Sequence, residues 1–263
     1  MPFAAQVIWI TGASSGIGEA LAVELSRYGA KLVLSSRRRE ELERVRELLV
    51  MPDNHMVLPL DLADSDSFAG AAAQVIERYG RIDVLINNGG ISQRSRVMDT
   101  DFEVDRRVME INYFGAIGLT KAVLPQMQAQ GGGQLVVISS LVGELPTPLR
   151  SAYCASKHAL HGWFEALRAE EHDNNLRILM VMPGFIRTQV SINAVTADGS
   201  AHGKMDDYQK QGMSAGLCAE RIIKAMQEGR EQVIIAGREG AGIYLKRWFP
   251  WLYRKIIRRV KVT

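Results

Sequence analysis

Cysteine is scarce in this chain of 263 residues. Cys154 and Cys218 are too few for a disulfide framework and lack the spacing of metal ligands, so a reducing, cytoplasmic compartment is the expectation. Long apolar runs are wanting too. No window of about 18 uninterrupted apolar residues occurs, which speaks against a membrane-spanning helix. Met1 to Gln6 also lack the charged start and apolar stretch of an export signal. No stretch rich in proline, glycine or serine divides the chain and no repeat is found, so one domain is expected. At 47% hydrophobic residues, the chain can fill one large core.

Acidic residues are absent from Gly240 to Thr263, where seven basic ones stand: Lys246, Arg247, Arg254, Lys255, Arg258, Arg259 and Lys261. The whole chain carries +3 and this end +7, so the first 239 residues carry −4. A protein whose principal ligand is nucleic acid spreads its cations over the main binding face, and no nucleic-acid partner is expected here.

What is present is an alternation of short β-branched runs with longer segments of helical period, the pattern of a parallel sheet covered on both faces. Strands are predicted at 7–11, 31–35, 56–60, 84–87, 134–139, 177–182 and 232–235, with helices at 17–28, 40–49, 67–79 and 152–174. Gly29 and Gly80 read as C-terminal stops. Right-handed crossovers then give an α/β, doubly wound, seven-stranded parallel sheet of the Rossmann type. Residues 1–242 form its body and 243–263 a helical extension of the same domain. The stretch from Ile186 to Ser214 is aperiodic and follows a strand whose C-terminal end faces the ligand crevice, so it reads as a substrate lid or as a plain exposed loop.

The first strand runs directly into Thr11-Gly12-Ala13-Ser14-Ser15-Gly16-Ile17-Gly18 and then a helix. At such a junction Gly12 permits the tight turn, Gly16 lets backbone approach a pyrophosphate, and Gly18 allows close packing. The helix N-terminus with Ser14, Ser15 and Ile17 favours the anion. The second strand ends in Ser35-Ser36-Arg37-Arg38-Arg39, without the carboxylate that would bind a ribose 2′-hydroxyl. Arg37, helped by Arg38, suits a 2′-phosphate, so NADP(H) is preferred over NAD(H). Asp61-Leu62 and Asn88-Gly89-Gly90 follow the next two strands, with Asp61 placed for an adenine amino group and the glycines for close approach to ribose.

Tyr153 and Lys157 lie four apart, which puts a phenol and an ammonium on one helix face. A nearby cation stabilises a phenolate and would bring a tyrosine towards useful acid–base chemistry. Ser140, at the end of the fifth strand, can donate to the same substrate oxygen.

Over residues 5–190 this pattern resembles the short-chain dehydrogenase/reductase family. The resemblance implies that Gly12, Gly16 and Gly18 bind cofactor and that Ser140, Tyr153 and Lys157 are catalytic, with Asn112 supporting a water-mediated proton relay to the lysine. It also implies that Pro183-Gly184-Phe185-Ile186-Arg187-Thr188 lines the nicotinamide, with Ile186 and Thr188 at its carboxamide. Gly89 departs from the alanine usual there, with little consequence expected. The longer C-terminus is the larger departure.

In that extension Trp248/Phe249, Leu252/Tyr253, Ile256/Ile257 and Val260 alternate with basic pairs, as in an amphipathic helix after Pro250. It can lie on an anionic membrane surface as a peripheral contact, cover an apolar substrate entrance, or pack against a second subunit. The function expected is an NADP-dependent oxidoreductase interconverting a hydroxyl and a carbonyl on an apolar small molecule, working as a homodimer or homotetramer. The alternatives are a lipid or steroid reductase at a membrane surface and a non-catalytic NADPH-sensing module.

Overall fold

The computed structural model describes residues 2–259. Val260 and Lys261, counted above in the helical repeat and the basic cluster, lie outside that range, as does the end of the 243–263 extension.

Among the described residues nine strands are formed: β1 (Val7–Thr11), β2 (Lys31–Ser35), β3 (Met56–Val57), β4 (Val84–Asn87), β5 (Gly133–Ile138), β6 (Leu176–Pro183), β7 (Ile186–Arg187), β8 (Met213–Ser214) and β9 (Gln232–Ile235). Seven of them make one sheet in the order β3-β2-β1-β4-β5-β6-β9, every pairing parallel. The order reverses between β1 and β4, and a ligand crevice opens where the two neighbouring crossovers part. β7 and β8 pair separately. The α-helices among the described residues are α1 (Gly16–Arg27), α2 (Arg39–Arg46), α3 (Phe68–Tyr79), α4 (Phe102–Met109), α5 (Gly115–Ala129), α6 (Ser151–Glu170), α7 (Asp207–Lys210), α8 (Ala215–Gln227), α9 (Ala241–Trp248) and α10 (Pro250–Ile257). Among the described residues no helix is long and apolar enough to cross a membrane.

Both sheet faces are covered. Ile8, Ile10, Leu32 and Leu34 pack with Leu21 and Leu25 of α1 and Ile222 of α8. Trp9, Val33 and Leu85 point the other way, to Val75 of α3, Leu119 of α5 and Phe164 of α6. The period of 2 in a strand thus feeds two cores from one run of apolar residues. Trp9 is fully buried, and its indole N–H donates to Ser35 Oγ at 2.8 Å, which keeps the polar end of the ring satisfied.

The structure differs from the sequence reading mainly at boundaries. The regular part of the third strand is Met56–Val57, but Leu58 and Leu60 still donate to the Leu34 and Ser36 carbonyls, so pairing with β2 continues past Pro59, whose missing N–H would face the open edge of the sheet. The fifth runs Gly133–Ile138, and α6 ends at Glu170 in a short 3₁₀ turn, His172–Asn174. Gly80 closes α3 with a left-handed φ of 75°, its N–H on the Ile76 carbonyl.

Candidate active site

A cavity of about 830 Å³ opens along the C-terminal edge of the sheet. Its walls contain Gly12, Ser14, Ser15, Gly16, Ile17, Arg37, Arg38, Asp61, Leu62, Asn88, Gly89 and Gly90 at one end. Ser140, Tyr153, Lys157, Pro183, Gly184, Ile186 and Thr188 contribute to the other. Two residues singled out from the sequence, Gly18 and Asn112, stand behind this wall instead of lining it.

Gly18 matters through what cannot be there. A Cβ on it would run into the Gly12 carbonyl and stand 2.6 Å from Asn88 Nδ2. Gly12 and Gly16 adopt left-handed φ of 64° and 61°, conformations that side chains resist. The turn is held from the neighbouring strand: Asn88 Nδ2 donates to the carbonyls of Thr11 (2.9 Å) and Gly12 (3.2 Å). Thr11 Oγ1 in turn accepts from the N–H groups of Asn88 (3.0 Å) and Gly89 (2.9 Å). Thr11 thus helps to hold the turn, a part the motif reading gave it no share in; its hydroxyl beside a glycine turn is the signal. Gly89 lies so near Leu62 that a Cβ would come 2.5 Å from Leu62 Cδ1.

Arg37 and Arg38 are exposed at the end of β2, and Arg38 Nη2 reaches Ser14 Oγ at 3.5 Å. Arg44, which the sequence reading did not include, ties this corner together by donating to the Ser14 carbonyl at 3.3 Å and pairing with Glu19 at 3.0 Å. Asp61 is exposed, its carboxylate accepting from the Ala63 N–H.

Asn112 sits on a π turn, Glu110–Phe114, that joins α4 to α5. The extra residue of such a turn swings a side chain off the helical stripe, a device common at working sites. Asn112 Oδ1 accepts from the Ile91 N–H at 2.7 Å, while Nδ2 donates to the Ile91 carbonyl (2.9 Å) and to Ser156 Oγ (3.0 Å). Its side chain therefore fixes the loop after β4 against α6.

Lys157 is buried and donates to the Ile138 carbonyl at 2.8 Å, with Nζ 5.7 Å from the Tyr153 ring centre. Burial brings its ammonium down to about 8 from the ordinary 10.5. For Tyr153 burial is also the largest influence and raises the phenol above its ordinary value. What opposes that rise is the charge of Arg150, a hydrogen bond with Ser140, and then the charge of Arg94. The sequence reading assigned this work to Lys157; the arginines were not foreseen.

These two arginines form a buried cluster with Asp206. Arg94 reaches Asp206 Oδ2 through Nη2 (2.5 Å) and Nε (3.1 Å), and Arg150 Nη2 reaches the same oxygen at 3.0 Å. All three side chains are nearly excluded from water, at 3%, 7% and 1% exposure. Asp206 belongs to the stretch read as lid or loop, so this segment is clasped over the site. A second relay joins Ser139 Oγ to His161 Nε2 (2.7 Å) and His161 Nδ1 to Glu144 (3.2 Å), pinning β5 to α6. Burial lowers the His161 pKa, against the pull of Glu144.

The extension closes the far side. Leu245, Tyr253, Ile256 and Ile257 of α9 and α10 line the cavity, and the Tyr253 hydroxyl donates to the Pro146 carbonyl at 2.9 Å.

Comparison with known proteins agrees with this layout. The model of the short chain dehydrogenase family matches residues 6–198. A dehydrogenase/reductase SDR family protein 7-like of Drosophila melanogaster is 43% identical over 254 residues, covering 94% of this chain and 78% of its own length. Dehydrogenase/reductase SDR family member 7B of Bos taurus is 41% identical, with 95% and 80% covered. A short-chain dehydrogenase from Streptomyces avermitilis superposes with a TM-score of 0.81 at 30% identity, covering 97% of this chain and 98% of its own. An alcohol dehydrogenase from the archaeon Thermococcus sibiricus, complexed with 5-hydroxy-NADP, gives 0.76 at 27% identity, covering 88% and 96%. With its family segment, its sheet order and its glycine turn in agreement, the chain belongs to the short-chain dehydrogenases and is an oxidoreductase that uses a nicotinamide nucleotide.

Proposed function

We propose that this protein is an NADP(H)-dependent oxidoreductase interconverting a hydroxyl and a carbonyl on an apolar small molecule, with Tyr153 as general acid and base. The observation that carries the reading is the convergence of Ser140, Tyr153 and Lys157 on the same cavity as the glycine turn. The cofactor fits the residues present: glycines hold open a cradle that a Cβ would fill, α1 offers its N-terminus, and the guanidiniums of Arg37 and Arg38 on the same cavity would suit a 2′-phosphate. When bound there, the nicotinamide would supply or accept the hydride.

In the reducing direction Tyr153 gives its proton to the substrate oxygen. Ser140 donates to the same oxygen and steadies its developing charge. Lys157 would offer its remaining N–H groups to the nicotinamide ribose when the cofactor is bound, and passes towards the tyrosine a proton that it regains from water. Asn112 keeps Ile91 and Ser156 in place around the lysine, the structural side of a relay completed by water. Leu141, Val142, Leu145 and Ile257 make an apolar wall on the substrate side. Residues 1–242 act as the catalytic body and the extension as part of the same unit, assembled as a homodimer or homotetramer.

The test is loss of nicotinamide absorbance with NADPH and then NADH over a panel of ketones, aldehydes and steroids. Turnover selective for NADPH is expected. In a variant with both Arg37→Ala and Arg38→Ala, NADPH affinity should fall about tenfold or more while NADH affinity stays within about twofold. Equal losses for the two nucleotides would remove the 2′-phosphate assignment.

A further inference from the structure

The hairpin of α9 and α10 has two unlike faces. Inward, Leu245, Tyr253, Ile256 and Ile257 form part of the cavity rim, and Lys246 Nζ and the Tyr253 hydroxyl fasten the hairpin to the Glu144 and Pro146 carbonyls. Outward, its apex is Trp248-Phe249-Pro250-Trp251, whose three rings are 69%, 53% and 66% exposed. Tyr244, one turn before Trp248, is 61% exposed. Arg247, Arg254, Lys255, Arg258 and Arg259 stand exposed around them, with no acidic side chain between Gly240 and Arg259.

Four large aromatic rings left in water together need an occupant, because single exposed apolar residues are ordinary but a group is not. Charge selects among occupants. A second copy meeting this face about a two-fold axis would set the basic cluster against itself. A lipid surface with anionic headgroups matches both features at once, since tryptophan and tyrosine favour the headgroup level and cations gain from anionic lipid. We propose that the α9–α10 hairpin docks this protein on an anionic lipid surface, with Trp248, Phe249 and Trp251 inserted at headgroup depth, and that the cavity rim formed by the same helices admits its apolar substrate from the lipid layer. The second half rests on the apolar-carbonyl reading above; the docking does not.

The test is flotation of the full chain with vesicles of phosphatidylcholine alone and of phosphatidylcholine mixed with phosphatidylserine. Binding to the mixed vesicles, weak binding to the neutral ones and release by salt are expected. Trp248→Ala with Trp251→Ala should weaken binding at least about tenfold, as should Arg254→Glu with Lys255→Glu. These side chains are exposed, so circular dichroism and thermal unfolding should match the wild type. Equal flotation of the tryptophan variant would overturn the docking. So would a wild-type chain that stays with neither vesicle, a dimer in solution that the same substitutions split, or tighter binding to a single-stranded oligonucleotide than to the mixed vesicles. For the entry route, turnover of a long-chain ketone carried in the vesicles should drop about tenfold or more in the tryptophan variant, with turnover of a short water-soluble ketone unchanged. Equal turnover of the vesicle-borne ketone would overturn the route. If flotation succeeds and no carbonyl compound turns over at all, it is the apolar-carbonyl reading that fails and the docking stands.

Discussion

Lys157 carries an ammonium into a site with almost no contact with bulk water, and that has a measurable consequence. Its folded-state pKa of about 8 lies below the ordinary 10.5 of an unfolded lysine. Below about 8 both states are protonated and the folded state bears the full burial penalty. Between about 8 and 10.5 the folded protein has released a proton that the unfolded chain still holds, so this lysine makes stability rise with pH, by on the order of 3 kcal/mol. Tyr153 acts with the opposite sign: its folded pKa is raised, so stability falls as pH climbs past the ordinary value of 10. Urea unfolding of wild type and Lys157→Met from pH 7 to pH 10 (about the range of interest) should show the rise in wild type alone; parallel curves would mean the lysine is not a buried cation. The glycines give a second residue-scale contrast. Gly18→Ala meets a carbonyl and an amide that cannot yield, whereas Gly89→Ala meets the end of the flexible Leu62 side chain. NADPH fluorescence titration should find affinity lowered at least about tenfold in the first and within about threefold of wild type in the second. The proposed trio of Ser140, Tyr153 and Lys157 and the glycine turn could be singled out in the sequence because short local motifs mark them, and the structure brings them to one cavity. The Arg94, Arg150 and Asp206 cluster could not be, since Arg94 and Asp206 are 112 residues apart and nothing local marks them as partners.

At the scale of elements, the strands of the central sheet were legible because buried parallel strands are continuous β-branched runs. The third strand reads as 56–60 in the sequence and its regular part is Met56–Val57, with Leu58 and Leu60 carrying the bonds to β2 beyond it. The π turn at Glu110–Phe114 left no trace in the pattern, and α5 carries Pro125 in its interior, so α4 and α5 had no clean period to read. The stretch between β6 and α8 looked aperiodic because its fixation is tertiary: Asp206 on two arginines, Ser191 and Ala194 fully buried, and the short β7–β8 pair. Asp206→Asn removes the anion that two buried guanidiniums share, and a destabilisation of about 3–5 kcal/mol is expected in urea unfolding. Trypsin should then cut after Arg187 or Lys204 sooner than in wild type. Unchanged stability and unchanged cleavage would show that the clasp holds nothing.

Across the whole molecule, seven parallel strands deliver their C-terminal ends to one edge, and residues far apart in sequence meet there around a single cavity. One end of that cavity is a glycine cradle flanked by arginines, and the other holds Ser140, Tyr153 and Lys157 beside an apolar wall, bounded by C-terminal helices that the family segment at 6–198 does not include. The family segment includes the cradle, and substrate choice is proposed to belong to the second part. The chemistry proposed for the meeting point rests on one phenol, that of Tyr153. The decisive measurement is NADPH turnover by Tyr153→Phe, with NADPH binding determined on the same sample. The account predicts wild-type binding and a rate lowered about a hundredfold or more; near-native turnover in the phenylalanine variant would contradict it.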